Sequence, residues 1–303
     1  MEPIYHAGEI SIQERLGEKG IADRIGKAVT DKIIPGAINF IEKQHFFLAS
    51  TKDKSGRITV SALAGENGFI KVKGTSTLEI SRNLLYSNPF DVFWSNIDAH
   101  PKVGLLFIEP SSRRRFRING SLSITSEKVI VNAEQAYPNC PKYIQQRHVR
   151  PLEKPFYTPE YVSGDLLTPP LIDLIKTADT FFIGSGDLQG NMDSSHRGGP
   201  AGFIHIENKS ILIVPDYAGN SMFNTLGNLA VNPTAGLLFI DFKNNLNLQL
   251  SGSVELILKG DRDDINTAGT NRYWIFRLSK WTLLQNLNGF EWEFIDYSPF
   301  NPK

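Results

Sequence analysis

One tripeptide in this sequence has the chemistry needed to bind a phosphate. Arg197 is followed directly by Gly198 and Gly199. The guanidinium group forms a fork that matches a phosphate, and glycine lets the backbone approach a ligand closely. Ser195 and His196 come just before the arginine and would face the same ligand. A solvated arginine in a tight turn is the alternative interpretation.

Three polar residues surround the start of a short helix that we predict at residues 223–231. They are Asn220, Thr225 and Asn228. Because a helix N-terminus attracts anions, these side chains could bind a phosphate or the hydroxyl groups next to it. Asn and Thr also cap helices routinely, so both interpretations stay open. For Asn228 the structural one is favoured, since Asn96 occupies the matching position of the repeat described below.

The densest positive charge lies at residues 113–117, where every residue except Phe116 is arginine. In a strand, Arg115 and Arg117 share one face. That face could reach across to a ligand held by another part of the chain, and a solvated strand face is the alternative. Gln249 matches Arg117 in the repeat and could hydrogen-bond the edge of a flat ring.

No residue is assigned a catalytic role. No Ser-His-Asp set is apparent, and the six histidines lack the spacing of metal ligands. The one cysteine, Cys140, can form neither an intrachain disulfide nor a cysteine zinc site. Because it stands between Asn139 and Pro141, we predict a structural turn there and no metal site.

Length and charge narrow the class of protein. A chain of 303 residues is long for one core, which favours two units. Lys plus Arg and Asp plus Glu both number 32, and this zero net charge argues against non-specific binding to nucleic acid. The N-terminus has no signal-peptide pattern, no apolar run is long enough for a membrane span, and one cysteine fits a reducing compartment. We therefore predict a soluble, cytoplasmic protein that binds neither nucleic acid nor membrane.

A segment of the chain occurs twice. Gly-Leu-Leu-Phe-Ile stands at 104–108 and again at 236–240, and 236 minus 104 gives an offset of 132. Upstream, Gly-Phe-Ile at 68–70 matches 202–204 at an offset of 134. Matches in the same order over about 85 residues indicate a duplicated unit.

Each copy is predicted to be mainly β with short helices, which suggests a small barrel, and a sandwich stays open. Residues 129–169 form a connector whose prolines argue against a strand and which we expect to hold one short helix near 141–147. The predicted parts are a helical leader at 1–34, a first copy at 35–128, that connector, and a second copy with a C-terminal extension at 170–303.

Five segments of the sequence, taken together, resemble segments of a known protein family. They are the stretches at 5–15, 113–120, 137–144, 190–202 and 215–228. Together they resemble the FMN-binding split-barrel proteins related to pyridoxine 5'-phosphate oxidase. The resemblance implies two tandem split barrels and FMN at an interface between barrels. In this duplicated chain the two barrels would pair within one molecule, and a homodimer of whole chains is also possible.

The resemblance implies a cofactor-binding set, and it also shows departures. The set is Ser195, His196, Arg197, Asn220, Thr225, Asn228, Gln249, Arg115 and Arg117. The family usually has an arginine and an acid where this chain has Met222 and Asn224, and another arginine where Gly227 stands. The first copy has Leu-Ala-Gly at 63–65 in place of Arg-Gly-Gly. We therefore expect the second copy to contribute most of one site.

Two hypotheses on function follow from the resemblance. The first is an FMN-binding oxidoreductase related to pyridoxamine 5'-phosphate oxidase, with a small-molecule substrate or electron donor that the sequence does not identify. The alternative is a non-enzymatic binding or sensor protein for a flavin or another planar cofactor such as haem.

Overall fold

The computed structural model describes residues 4–86, 88–151, 160–285 and 290–303. Within them the helices are α1 Ala7–Arg15, α2 Lys19–Gly26, α3 Pro35–Glu42, α4 Phe93–Ala99, α5 Pro169–Thr177 and α6 Asn224–Val231, with two 3₁₀ turns at Arg82–Leu84 and Pro110–Ser112. The predicted helical leader corresponds to α1 and α2, apart from residues 1–3, which lie outside the described residues. Pro35 and Pro169 each occupy the first position of a helix, where the missing N–H costs no hydrogen bond.

Strands make up most of the regular structure, so the prediction of a mainly β chain is confirmed. The strands of the first half are β1 Phe46–Lys52, β2 Ile58–Gly65, β3 Ile70–Lys73, β4 Thr77–Ser81, β5 Leu85–Tyr86, β6 Lys102–Glu109, β7 Arg114–Ile124, β8 Lys128–Pro138 and β9 Gln146–Pro151. Those of the second half are β10 Tyr161–Gly164, β11 Thr180–Gly186, β12 Met192–Gly198, β13 His205–Asn208, β14 Ile211–Pro215, β15 Thr234–Asp241, β16 Leu246–Ile257, β17 Tyr273–Gln285 and β18 Phe290–Asp296.

Two large antiparallel sheets have the same internal strand order. The first runs β3-β4-β8-β7-β6-β1-β2-β5, and the second, read in the same sense, runs β13-β14-β17-β16-β15-β11-β12. Strand β10 pairs with β17, and β9 forms a separate ribbon with β18. The strands of the first sheet lie within residues 46–138, and those of the second lie within residues 161–285.

Equivalent residues also keep the same register in the two sheets. Leu106 pairs with Arg117 between β6 and β7, and Leu238 pairs with Gln249 between β15 and β16. An irregularity in pairing falls next to Gly120 in one sheet and next to Gly252 in the other. These positions are related by the offset of the sequence repeat.

Two expectations for the connector are wrong. Strand β8 occupies 128–138 because the apolar alternation there continues the sheet, and its only proline, Pro138, is the last residue of the strand. The short helix expected near 141–147 is absent, since residues 142–143 form a turn and β9 begins at Gln146. The connector residues 152–159 and residues 286–289 of the predicted second copy lie outside the described part of the chain.

The two sheets pack against each other through glycines at matching positions. A Cβ atom on Gly104 of β6 would lie 2.7 Å from the Cα of Asp193 in β12. A Cβ atom on Gly236 of β15 would lie 2.6 Å from the carbonyl oxygen of Ile58 in β2. Each sheet therefore presents a bare backbone segment to the other, and an apolar cluster that includes Phe46, Leu106 and Leu238 fills the space between them.

Replacing Gly104 with alanine tests this close approach. We expect G104A to lower the free energy of unfolding by about 1–3 kcal/mol, because the new methyl group meets backbone that cannot rotate away. Urea unfolding measures the change. G36A is the control, since a Cβ at Gly36 would meet nothing within 4 Å. An unfolding midpoint for G104A that equals that of G36A would contradict the described packing of the sheets.

Candidate functional site

A cleft lies between the two sheets and contains most of the predicted site residues. The empty space that it encloses, with the open solvent at its mouth included, is about 830 Å³. We call it the arginine cleft. Seven members of the predicted set line it: Arg115, Arg117, Ser195, His196, Arg197, Asn220 and Thr225. The other lining residues are Asn139, Cys140, Lys142, Tyr143, Gly198, Phe203, Pro215, Asp216, Tyr217, Gly219, Ser221, Phe223, Asn224 and Leu226.

Arg117 connects β7 to residues of β8 and β12 at the cleft through three polar contacts. Its Nη1 lies 2.9 Å from Asp193 Oδ1, and its Nη2 donates to Ser195 Oγ at 2.6 Å. Nη1 also donates to the Tyr137 hydroxyl at 2.9 Å. Although burial alone would lower the pKa of Arg117, the Asp193 carboxylate and Tyr137 raise it above its ordinary value. Since its charge is already balanced, Arg117 is mainly a structural link between β7 and β12.

Arg115 is in the opposite situation. Its Nε donates to the Cys140 carbonyl oxygen at 2.8 Å, and its Nη1 lies 3.2 Å from His196 Nδ1. No carboxylate in the described part of the chain comes within 4.0 Å of its guanidinium nitrogens. Burial, with repulsion from Arg117, lowers the pKa of Arg115 to about 9. This cation would gain from an anion in the cleft.

Arg197 adds a second cation whose charge is poorly balanced. Its Nη2 lies 4.0 Å from Asp216 Oδ1, whereas Arg272 Nε donates to the same carboxylate at 3.0 Å. Its buried Nε has no hydrogen-bond partner among the described residues. Burial lowers the pKa of Arg197, and Asp216 offsets only part of that effect. The cleft therefore carries excess positive charge and an unused donor.

His196 is neutral at pH 7. Its ring is only 3% exposed and meets Phe182 edge-on, with centroids 5.7 Å apart. Burial and the nearby Arg115 and Arg197 guanidinium groups keep the pKa of His196 well below its usual range. Because an arginine can only donate, Nδ1 of His196 accepts from Arg115 and the proton resides on Nε2. The ring thus supports Arg115 and adds no positive charge.

Three aromatic residues also line the cleft, Tyr143, Phe203 and Tyr217, and none of them is in the predicted site set. The rings of Tyr143 and Tyr217 lie 5.4 Å apart, and Phe203 lies 6.2 Å from Tyr217. The Tyr143 hydroxyl donates to the Ala218 carbonyl at 3.0 Å. Tyr143 has a positive φ of 65°, and the turn it forms in place of the expected helix directs its ring into the cleft. In the sequence, Tyr143 lies in the 137–144 segment, which is one of the segments that carry the family resemblance.

The two polar residues near α6 have different local roles. Thr225 Oγ1 donates to Ser195 Oγ at 3.0 Å, which ties α6 to β12 inside the cleft. Asn220 Oδ1 accepts from the backbone N–H of Met222 at 3.2 Å and so stabilises a local turn. Helix α6 begins after Phe223, and no side chain caps it. The cleft therefore lies beside an uncapped helix start.

Asn228 and Gln249 lie outside the arginine cleft. Asn228 Nδ2 donates to Ser185 Oγ at 3.0 Å, and the matching Asn96 donates to Thr51 Oγ1 at the same distance. The structural interpretation of Asn228 thus accounts for its contacts. Gln249 Nε2 lies 3.1 Å from the Val60 carbonyl oxygen of β2 and 3.1 Å from Asp91 Oδ2, and it donates to both.

The N-terminal helix α1 and the residues around it pack against Gly227 of α6 and Met222 before it. Gly227 of α6 crosses Gly8 of α1 so closely that a Cβ on Gly8 would lie 2.2 Å from the Gly227 oxygen. A Cβ on Gly227 would lie 2.4 Å from Cγ of Glu9. An arginine at 227 is therefore incompatible with the docked leader. Met222 is buried in an apolar cluster with Tyr5.

Comparisons with known proteins give weak similarities. No protein-family model and no curated protein matches the chain. A structure of HupZ from Group A Streptococcus is 14% identical and covers 41% of this chain and 99% of that one, with a TM-score of 0.33. A putative pyridoxamine 5'-phosphate oxidase from Lactobacillus delbrueckii is 13% identical, covering 39% and 94% with a TM-score of 0.32. An FMN-binding protein from Syntrophomonas wolfei is 12% identical, covering 42% and 94% with a TM-score of 0.27.

In the described residues, no group of His, Cys, Asp and Glu has the arrangement of a metal site. The helices of that same part of the chain are too short or too polar to cross a membrane.

Proposed function

We propose that the chain is a flavoprotein that binds FMN in the arginine cleft, with the two sheets acting as tandem split barrels paired inside one molecule. The observation that carries this proposal is the pair Arg115 and Arg197, which come from different sheets and lack a closely paired carboxylate. A phosphate monoester, close to dianionic at pH 7, is the ligand that two such guanidinium groups bind best.

The remaining surface of the cleft suits the rest of FMN. Thr225 Oγ1, which donates to Ser195, can still accept a hydrogen bond from a ribityl hydroxyl, and the side-chain amide of Asn220 also lines the cleft. The rings of Tyr143 and Tyr217 offer a face for a flat ring system. Bound FMN would supply the redox chemistry, and an oxidoreductase is the first hypothesis for activity.

We infer one such site per chain, because the second place that the repeat generates between the two copies lacks both arginines. The repeat matches Arg115 with Asn247 and Arg197 with Leu63. These replacements remove both cations that would neutralise a phosphate. The matching place is therefore unsuited to the same ligand.

A buried acid adds to the difference. Asp91 accepts from Oγ of Ser61, the residue that matches Ser195 at an offset of 134, at 2.6 Å, and from Gln249 Nε2 at 3.1 Å. Burial raises the pKa of Asp91, as expected for a carboxyl group with no cation beside it. A phosphate placed there would meet an acidic group and no cation.

Comparing FMN with riboflavin tests the role of the phosphate. We expect the fluorescence of FMN to be quenched when it binds. We expect FMN to bind about 10- to 100-fold more tightly than riboflavin, because only FMN carries a phosphate that the two arginines can bind. Equal affinities, or no binding of either flavin, would contradict the proposal. Reduction of the bound flavin by NADH or NADPH would then separate an oxidoreductase from a binding or sensor protein.

A further inference from the structure

The leader helix brings a buried acid to the back of the arginine cleft. Glu9 of α1 is 5% exposed, and its Oε1 accepts from the Asn224 side-chain amide. Its Oε2 accepts from the backbone N–H of His6 at 2.9 Å, and the two residues form a capping box. Asn224 itself lines the cleft. Glu9 therefore contacts the cleft through one intervening side chain.

The carboxylate determines which way that side chain faces. An ionised carboxylate can only accept, so the NH₂ group of Asn224 must point to Glu9 and its Oδ1 away from it. Oδ1 then accepts from Arg117 Nη1 at 3.2 Å, and Arg117 Nη2 donates to Ser195 Oγ at 2.6 Å. One continuous set of hydrogen bonds thus runs from the leader to the cleft floor.

Glu9 cannot easily move away from this position. The close crossing of Gly8 and Gly227 fixes α1 on α6. The charged or titratable groups that face Glu9 are His6 on its own helix, Arg117 of β7, Asp193 of β12 and the hydroxyl groups of Tyr5 and Tyr137. Burial raises the pKa of Glu9 to about 7, against the hydrogen bonds from His6 and Asn224 and the charge of Arg117.

We propose that Glu9 is a positioning residue of the arginine cleft, and that an anion bound in the cleft is held more strongly when the Glu9 carboxyl is protonated. This inference rests on the anion-binding function proposed above. An ionised Glu9 adds negative charge behind Asn224, and a bound phosphate adds more. Binding therefore favours proton uptake at Glu9, and affinity should fall as pH rises through about 7.

The test compares E9Q with the wild type from pH 5.5 to 8.5, using FMN and sulfate as separate probes. Sulfate keeps a constant charge over this range, so its affinity reports on the protein alone. We expect wild-type affinity for sulfate to fall on the order of threefold to tenfold across the range, and that of E9Q to change much less. E14Q, on the exposed face of the same helix, should behave like the wild type. H6N isolates the part of the slope that comes from His6.

A second measurement does not depend on a variant that folds. The pKa of Glu9 followed by carbon NMR in the wild type should rise when sulfate or FMN is added. An unchanged pKa on binding, or an equal slope in E9Q and wild type, would overturn the inference. Binding of sulfate with the expected slope but no binding of FMN would support Glu9 and reject the flavin. Binding of FMN with no effect of E9Q would support the flavin and reject the role of Glu9. If neither FMN nor sulfate binds, both the flavin and the role of Glu9 are rejected.

Discussion

R117M is expected to lower the free energy of unfolding by about 3–5 kcal/mol, because it leaves a buried carboxylate without its cation. Asp193 is 3% exposed, and Arg117 provides the only ion pair found for it among the described residues. Methionine keeps much of the apolar stem, so the loss reports chiefly on the charge. The measurement is urea unfolding at pH 7 without ligand.

Two further variants show whether the charge is the cause. R114M removes the neighbouring arginine, which is exposed, and should change stability by less than about 1 kcal/mol. R117M/D193N removes both charges and should recover a large part of the loss. An R117M protein as stable as R114M would contradict the assignment of Arg117 as a structural link.

The double variant R115M/R197M is expected to reduce FMN affinity by about 100-fold or more while leaving riboflavin affinity nearly unchanged, since two charge-assisted contacts to the phosphate are lost. Unlike Arg117, neither residue has a closely paired carboxylate, so the folded protein should tolerate the change. Titration of flavin fluorescence measures both affinities. R114M again serves as control, and an equal loss for FMN and riboflavin would mean that the arginines do not bind the phosphate.

The sequence predicted much of the cleft because charge and spacing determine it directly. Arg115 and Arg197 stood out as arginines beside a strand pattern or a glycine pair. The repeat predicted that they belong to equivalent units, and the sheets bring them to one cleft because the units pack face to face through Gly104 and Gly236. Local propensity was also sufficient for α6 and for the strands around the Gly-Leu-Leu-Phe-Ile runs.

Long-range packing determined what the sequence did not reveal. Gln249 matches Arg117 by position, but it faces Asp91 and Ser61, so the equivalence did not carry a shared role. The prolines of the 129–169 segment led to the prediction that it holds no strand. Strand β8 nevertheless forms there, because it ends at Pro138, before the other prolines. The hydrogen bond between Glu9 and Asn224 joins residues 215 positions apart in the sequence, and it depends on the crossing of α1 and α6. Gly8 and Gly227 lie at that crossing, but a glycine alone does not identify its neighbour.

The most direct test of the account is the number of FMN molecules bound per chain, measured by isothermal titration at pH 6.5 for the wild type and for R115M/R197M. The arginine cleft predicts one FMN per wild-type chain and strongly weakened binding to the double variant. Two FMN molecules per chain would show that the matching place with Leu63 and Asn247, which lacks the two arginines, also binds. No binding, or binding that R115M/R197M leaves unchanged, would contradict the central claim that this cleft holds the flavin phosphate.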